Sequence, residues 1–175
     1  MSDNNKHSKA PITISVAKYR SGPGFAPLGQ PGIVGPTLST ALLITGTPTG
    51  GAKVVRHEHK EDGKISVKES DLTGQALESV FAAVGKLQTL PKREVPGGPD
   101  VYGANTSVEV RQGSNVIWSY GPGRGCCVQS DDDDNNEVAA LGIDDSHKAS
   151  FVSIVQQLCD ATAPSAPAAT SDKKE

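Results

Sequence analysis

The run Arg56-His57-Glu58-His59 places two histidines and a carboxylate, all potential metal ligands, within three consecutive residues. On a β-strand, residues two apart share a face, so His57 and His59 could present two imidazoles to one zinc or copper ion. A catalytic zinc site takes three protein ligands, and the helical His-Glu-x-x-His spacing of zinc peptidases is absent. Lys60 and Glu61 follow directly, which is typical of a solvated strand end. We therefore favour an ordinary strand end over a complete metal site.

The cysteines form a second group of potential ligands. Cys126 and Cys127 are adjacent, so their side chains diverge, whereas the two-residue gap of a Cys-x-x-Cys knuckle turns both thiolates toward one ion. Cys159 lies beside an apolar stripe, where a small buried thiol is the usual explanation, and His147 is distant in sequence. We expect no cofactor. A metal-binding or redox function stays open as an alternative, with these residues as its ligands: His57, His59, Cys126 and Cys127.

Other segments resemble functional loops only in part. The acidic run Asp131–Asp134, with Glu137 after it, lacks the alternating ligands and central glycine of an EF-hand, so we interpret it as solvated charge. Gly121–Gly125 opens no predicted helix, and in Gly46–Lys53 an alanine interrupts the Gly-Lys-Ser/Thr ending of a phosphate loop. No Gly-x-Ser-x-Gly elbow is present. We assign no catalytic residues and predict that the protein is not an enzyme.

Composition limits the partners and the compartment. The 175 residues carry a net charge of −3 and show no cluster of Lys and Arg, which argues against nucleic acid as a partner. No apolar stretch approaches the roughly 20 residues that span a bilayer, so no membrane partner is expected. The polar N-terminal segment has no apolar core of a secretory signal, and three cysteines do not suggest a disulfide framework. We predict a soluble, cytoplasmic protein.

The elements that would position these residues begin with strands. Ile12–Tyr19 alternates apolar and polar residues, and Ser21–Pro36 is so rich in Gly and Pro that it predicts a long loop. Further strands are predicted at Leu38–Thr47, Val54–His59 and Lys64–Lys68. The turn residues between them, including an Asp-Gly pair, predict an antiparallel meander.

Two segments have helical spacing. Leu72–Leu90 predicts a helix with Thr73 as N-cap and with Leu72 and Leu77 as a hydrophobic staple. A second helix, with Ser146 or Asp145 as its N-cap, would continue to Thr162. Its buried stripe would comprise Phe151, Ile154, Val155, Leu158 and Thr162.

A hairpin is predicted between the two helices. One face of its first strand would comprise alternate residues, namely Tyr102, Ala104, Thr106, Val108 and Val110. In its second strand Val116, Trp118 and Tyr120 would align. Strands, helix, hairpin and helix in this order predict an α+β fold, an antiparallel sheet of hairpins with two amphipathic helices on one face. We expect one domain at residues 11–162, between disordered tails at 1–10 and 163–175.

The first strand and the loop after it resemble a known family. Ile12-Thr13-Ile14-Ser15-Val16, followed by Arg20-Ser21-Gly22-Pro23-Gly24-Phe25-Ala26, is similar to the strand and Arg-Ser-Gly-Gly-Phe-Ala segment near the start of emfourin-like proteins, which inhibit thermolysin-like metallopeptidases such as protealysin. Pro23 interrupts the family's Gly-Gly pair, and the loop to Pro36 is longer. The resemblance implies a metallopeptidase partner that contacts the following residues: Arg20, Ser21, Gly22, Gly24, Phe25 and Ala26.

The leading hypothesis is therefore a non-enzymatic binding protein that acts by protein binding, in the form of a protease inhibitor of a thermolysin-like metallopeptidase. The metal-binding or redox protein described above is one alternative. A structural or assembly subunit, with the tails and the Gly/Pro loop as contact arms, is another.

Overall fold

The computed structural model describes residues 10–20, 37–92, 100–121 and 141–163. These residues form one six-stranded antiparallel sheet and two helices, which confirms the predicted α+β class. The strands are β1 (Ile12–Arg20), β2 (Thr37–Thr47), β3 (Gly51–His59), β4 (Ile65–Leu72), β5 (Thr106–Gln112) and β6 (Asn115–Tyr120). The helices are α1 (Gly74–Leu87) and α2 (Asp145–Ala161).

The first strand of the chain lies inside the sheet. The strand order is β4-β3-β2-β1-β5-β6, so the chain forms a meander outward from β1 to β4 and later returns to the other side of β1. There β5 pairs with β1, with Ile14 opposite Val110, and β6 completes the sheet. The predicted meander is confirmed, whereas the pairing of β1 with β5 joins segments that no local pattern connects.

Both helices pack on one face of the sheet, and the core lies between the two layers. Alternation along the strands sends one set of apolar side chains, such as Ile14 and Ile44, into this space. The predicted stripes of the helices face them. The largest fully buried side chains are Trp118, Phe151, Ile14, Ile44, Leu87, Leu158, Val54, Val80, Val108 and Val110.

Each helix begins directly after its N-cap residue, and only the N-cap of α2 makes side-chain hydrogen bonds. Thr73 is the N-cap of α1, as predicted, and Leu72 and Leu77 are both buried on either side of it. The N-cap of α2 is Asp144, one or two residues earlier than predicted. Its carboxylate accepts hydrogen bonds from the Ser146 hydroxyl and the His147 amide, and these lower the pKa of Asp144.

Four aromatic side chains meet at one end of the core. The ring of Phe151 stacks on that of Tyr102, with 4.5 Å between the centroids. It meets the Tyr120 ring edge-on at 5.3 Å and lies tilted against the Trp118 ring at 6.1 Å. The hydroxyl of Tyr102 donates to the main-chain oxygen of Pro91 at 2.6 Å. This aromatic cluster therefore joins α2, β6 and the segments on both sides of residues 93–99.

Tyr102 lies in a loop and not in β5, which corrects the predicted strand face. The Asp100 carboxylate accepts from the Asn105 amide and from the Tyr120 hydroxyl, each at 2.5 Å, and Asn105 has a positive φ of 45°. These contacts hold residues 100–105 in a turn, so Tyr102 and Ala104 do not continue the alternation of the strand. Tyr102 is nevertheless buried, because the turn directs its ring against Phe151.

The burial of Tyr102 predicts an alkaline limit to stability. Burial raises the pKa of Tyr102 to about 12 from 10.0, because the charged phenolate is poorly solvated in the core. The stabilising contribution is fully present below the unfolded-state pKa near 10 and is lost as pH rises toward 12. In urea titrations across this range, we expect the free energy of unfolding to fall more steeply for the wild type than for Tyr102→Phe. Parallel slopes would contradict the prediction, whatever the constant offset from the lost Pro91 hydrogen bond.

Two strand boundaries and the exposure of one strand residue also differ from prediction. β3 begins at Gly51 and not at Val54, and β4 continues to Leu72 because its ladder with β3 extends to the pair Ala52–Leu72. In the β5–β6 hairpin a register shift after Val110 leaves Val116 exposed, although Trp118 and Tyr120 are buried as predicted. Within the described residues, neither helix has the length and apolar character required to cross a membrane.

Candidate binding face

The face of the sheet opposite the helices is not covered by any described residue. Large apolar side chains are exposed on it: Leu43 at 42%, Ile65 at 54% and Val67 at 53%. They occupy β2 and β4, and Val55 of β3 lies in register between Leu43 and the β4 strand. We call this surface the open face. Neighbouring exposed apolar side chains of this kind are typical of contact surfaces.

A shallow trough of about 500 Å³ crosses the open face. Its floor is low because small side chains occupy the central strands, with Ala41 of β2 opposite Ala17 of β1, which in turn lies opposite Ser107 of β5. Its outward-facing lining also includes Ser15, Leu43, His57, His59, Glu109 and Ser119. The trough therefore combines an apolar floor with polar groups along its sides.

His57 and His59 line this trough together from β3, and both are partly buried. Among the residues that the structure describes, no three His, Cys, Asp or Glu side chains come close enough to hold one metal ion. Cys126 and Cys127, the other ligands of the metal hypothesis, lie outside the described residues. The structure thus brings the histidine pair to one surface and does not test its combination with the cysteine pair.

The two remaining members of the cysteine and histidine group serve α2. His147 is the third residue of its first turn and completes a capping box with Asp144. Cys159 lies near the other end of α2, more than about 15 Å away at the helical rise per residue. A site that contains both side chains is therefore incompatible with this helix.

Arg20 is the one described member of the predicted partner-binding set. Its Nη2 donates to the main-chain oxygen of His59 at 2.9 Å, and its Nη1 lies 3.4 Å from a carboxylate oxygen of Glu61. Arg20 is also the register partner of Thr37, so the β1–β2 connection leaves and re-enters the sheet at neighbouring positions. The rest of the set, namely Ser21, Gly22, Gly24, Phe25 and Ala26, lies outside the described residues.

Arg56 has a role that the sequence analysis missed. It alternates with His57 and therefore points to the helix side, where its Nη2 donates to the main-chain oxygen of Cys159 at 2.7 Å and to Thr162 Oγ1 at 3.2 Å. A guanidinium at the C-terminus of α2 satisfies a free carbonyl and opposes the negative end of the helix dipole. The predictive signal was the strand alternation itself, since it separates Arg56 from its histidine neighbour.

No protein-family model matches this sequence, and a search of curated proteins finds no match either. Functional inference therefore depends on the open face, on the loop ends that Arg20 and Thr37 define, and on the local resemblance of residues 12–26.

Proposed function

We propose that this protein is a non-enzymatic binding protein that inhibits a thermolysin-like metallopeptidase. The observation that carries the proposal is the open face, since two helices cover only one side of a six-stranded sheet. Leu43, Ile65 and Val67 expose apolar area to water, and a partner that covers this area gains free energy of binding from its burial.

The β1–β2 connection is the segment that would enter the peptidase. Its ends are fixed at Arg20 and Thr37 by the strand ladder, and the side chain of Arg20 is further held by His59 and Glu61. Fixed ends reduce the conformational entropy that a loop loses when it binds, which raises affinity without adding contacts. Phe25 supplies an apolar side chain within this loop, and aromatic residues commonly act as anchors of an interface.

The choice of peptidase class is supported by the resemblance of residues 12–26 to emfourin-like inhibitors. The strand part of that resemblance, Ile12–Val16, lies in β1, which also forms part of the trough. β1 therefore carries both the strand part of the resemblance and part of the trough, and a partner that engages the segment after β1 could also cover part of the trough.

Stoichiometric titration of a thermolysin-like peptidase tests the proposal. With the enzyme well above the dissociation constant, we expect residual activity to fall linearly and to reach its minimum near one chain per enzyme. Phe25→Ala should weaken inhibition by at least about tenfold, the loss typical of an interface anchor. Val152→Ala is the matched control, because Val152 is 49% exposed and lies on α2, on the helix side of the sheet. We expect this variant to inhibit the peptidase as strongly as the wild type does.

Two results would overturn the proposal. A panel of thermolysin-like peptidases that keeps full activity in excess of this protein would exclude the inhibitory function. Cleavage of the β1–β2 connection at a rate typical of a substrate would show that the loop is processed and does not block the enzyme. Full inhibition by Phe25→Ala would contradict the assignment of Phe25 as the anchor.

A further inference from the structure

The spacing of His57 and His59 suits the chelation of a single ion. Two residues apart on an extended strand, their Cα atoms are separated by about 6.5–7 Å and their side chains emerge on the same face. An imidazole nitrogen binds a divalent transition metal at about 2.0–2.1 Å, so two rings that lean toward each other can share one ion. The chain between them is a regular part of β3, with an unbroken register to β4.

The residues next to His57 and His59 leave space for a metal ion on the side of β2. On β4, Val67 is opposite His57 and Ile65 is opposite His59, so branched side chains flank both rings. On the other side His57 faces Ala41 of β2, whose single methyl group leaves the trough open above it. Both imidazoles line that trough, and a ring that tilts toward β2 meets little obstruction.

Neither imidazole is used elsewhere in the described part of the chain. The hydrogen bond from Arg20 is accepted by the main-chain oxygen of His59 and not by its ring, and no ion pair among the described residues includes either ring. Two nearby carboxylates are engaged, since Glu61 pairs with Arg20 and Glu58 pairs with Lys68 at 3.4 Å on the other face, and no described carboxylate completes a group of three with the two rings. The available donors are therefore nitrogen atoms, which select late first-row ions such as Ni²⁺, Cu²⁺ and Zn²⁺ over Ca²⁺ or Mg²⁺.

We infer that His57 and His59 form a two-imidazole binding site for one divalent late transition-metal ion on the open face. The remaining coordination positions are open to water or to a donor atom of another molecule. The site does not use Cys126 or Cys127 and does not depend on the inhibitory function. It requires only that both rings reach one ion from the same face of β3.

Calorimetric titration of the full chain with Ni²⁺ at neutral pH tests the site. Ni²⁺ is the suitable probe because Cu²⁺ oxidises thiols and the chain has three cysteines. We expect a single-site binding isotherm that His57→Asn and His59→Asn each weaken by at least about tenfold, since loss even of outer contacts of a metal site commonly costs that much. His147→Asn is the matched control for removal of one histidine, and its Ni²⁺ affinity should equal that of the wild type.

Two second-site variants separate geometry from histidine content. In the His59→Asn background, Val55→His restores a pair two residues apart on the same face, and we expect it to recover most of the lost affinity. In the same background, Glu58→His places the new ring on the opposite face and should recover none. Circular dichroism and urea midpoints verify that each variant is folded.

Three outcomes would overturn the inference. They are the absence of Ni²⁺ binding to the wild type, undiminished affinity in both folded asparagine variants, and equal recovery by Val55→His and Glu58→His. Any of them would show that the pair does not chelate the ion as a unit.

Discussion

Replacement of Phe151 by alanine lowers the free energy of unfolding by about 3–5 kcal/mol, the range typical of large aromatic truncations in a core. Phe151 is fully buried, and its ring contacts three other aromatic rings from the loop before β5 and from β6. Truncation removes the transfer free energy of the ring and leaves a cavity that Tyr102 and Tyr120 are poorly placed to fill, because their hydroxyls are hydrogen-bonded to fixed partners.

Urea denaturation followed by Trp118 fluorescence measures this effect directly, since the indole belongs to the same cluster. Val152→Ala is the control on the adjacent position of α2, where the side chain is 49% exposed and little area is lost. A change below about 1 kcal/mol for Phe151→Ala would mean that the aromatic cluster does not support the core, because such small losses are typical of exposed positions.

Replacement of Gly46 by alanine destabilises the fold by several kcal/mol, about as much as a core truncation. A Cβ atom at this position would lie far inside contact distance of the Gly51 main-chain oxygen and the Ala52 backbone, which belong to the neighbouring strand β3. Backbone atoms cannot rotate away as a flexible side chain can, so the β2–β3 hairpin would have to separate at the pair Gly46–Ala52.

Gly85→Ala is the matched control for this substitution, since it makes the same chemical change in the last turn of α1. A Cβ there meets nothing within 4 Å, and alanine is the better helix former, so the expected change is a gain of about 0.5–1 kcal/mol. Opposite signs of the two changes in urea titrations are the expected result. Equal effects would show that strand separation does not limit the Gly46 substitution.

Local patterns were sufficient for most elements of this fold. The 3.6-residue period located the apolar stripes of both helices, and Thr73 with its two flanking leucines marked the start of α1. The pairing of β1 with β5 was not accessible in this way, because one sequence does not reveal which distant strands become neighbours. The interior position of β1 is therefore information that only the tertiary structure supplies.

The incorrect strand predictions concern positions where tertiary contacts or a register shift change the path of the backbone. Tyr102 and Ala104 continue the alternation of β5 in sequence, yet Asp100 captures the Asn105 amide and turns the chain before the strand begins. Val116 is displaced in a similar way by the register shift in the β5–β6 hairpin. Such hydrogen bonds and shifts depend on atoms brought together by the fold, so periodicity alone does not predict them.

Part of the candidate site was also predictable from the sequence. Strand alternation correctly separates Arg56, which caps α2, from His57, which lines the trough. The trough itself was not predicted, because it results from small side chains on three strands that meet only in the sheet, among them Ala17, Ala41 and Ser107. The trough is deep where the side chains are small. A search for reactive residues does not detect small side chains.

The interior position of β1 also determines when the sheet can be completed during synthesis. Residues 12–20 are synthesised before the other strands of the sheet and can pair with β2 on one side once residues 37–47 have left the ribosome. Their other side must wait for β5, which lies more than 80 residues later in the chain as the pair Lys18–Thr106 shows. Until then the nascent chain has an unpaired strand edge, and such edges recruit other extended chains. A chaperone that shields this edge would therefore have to act until β5 is synthesised, which is after the residues of α1.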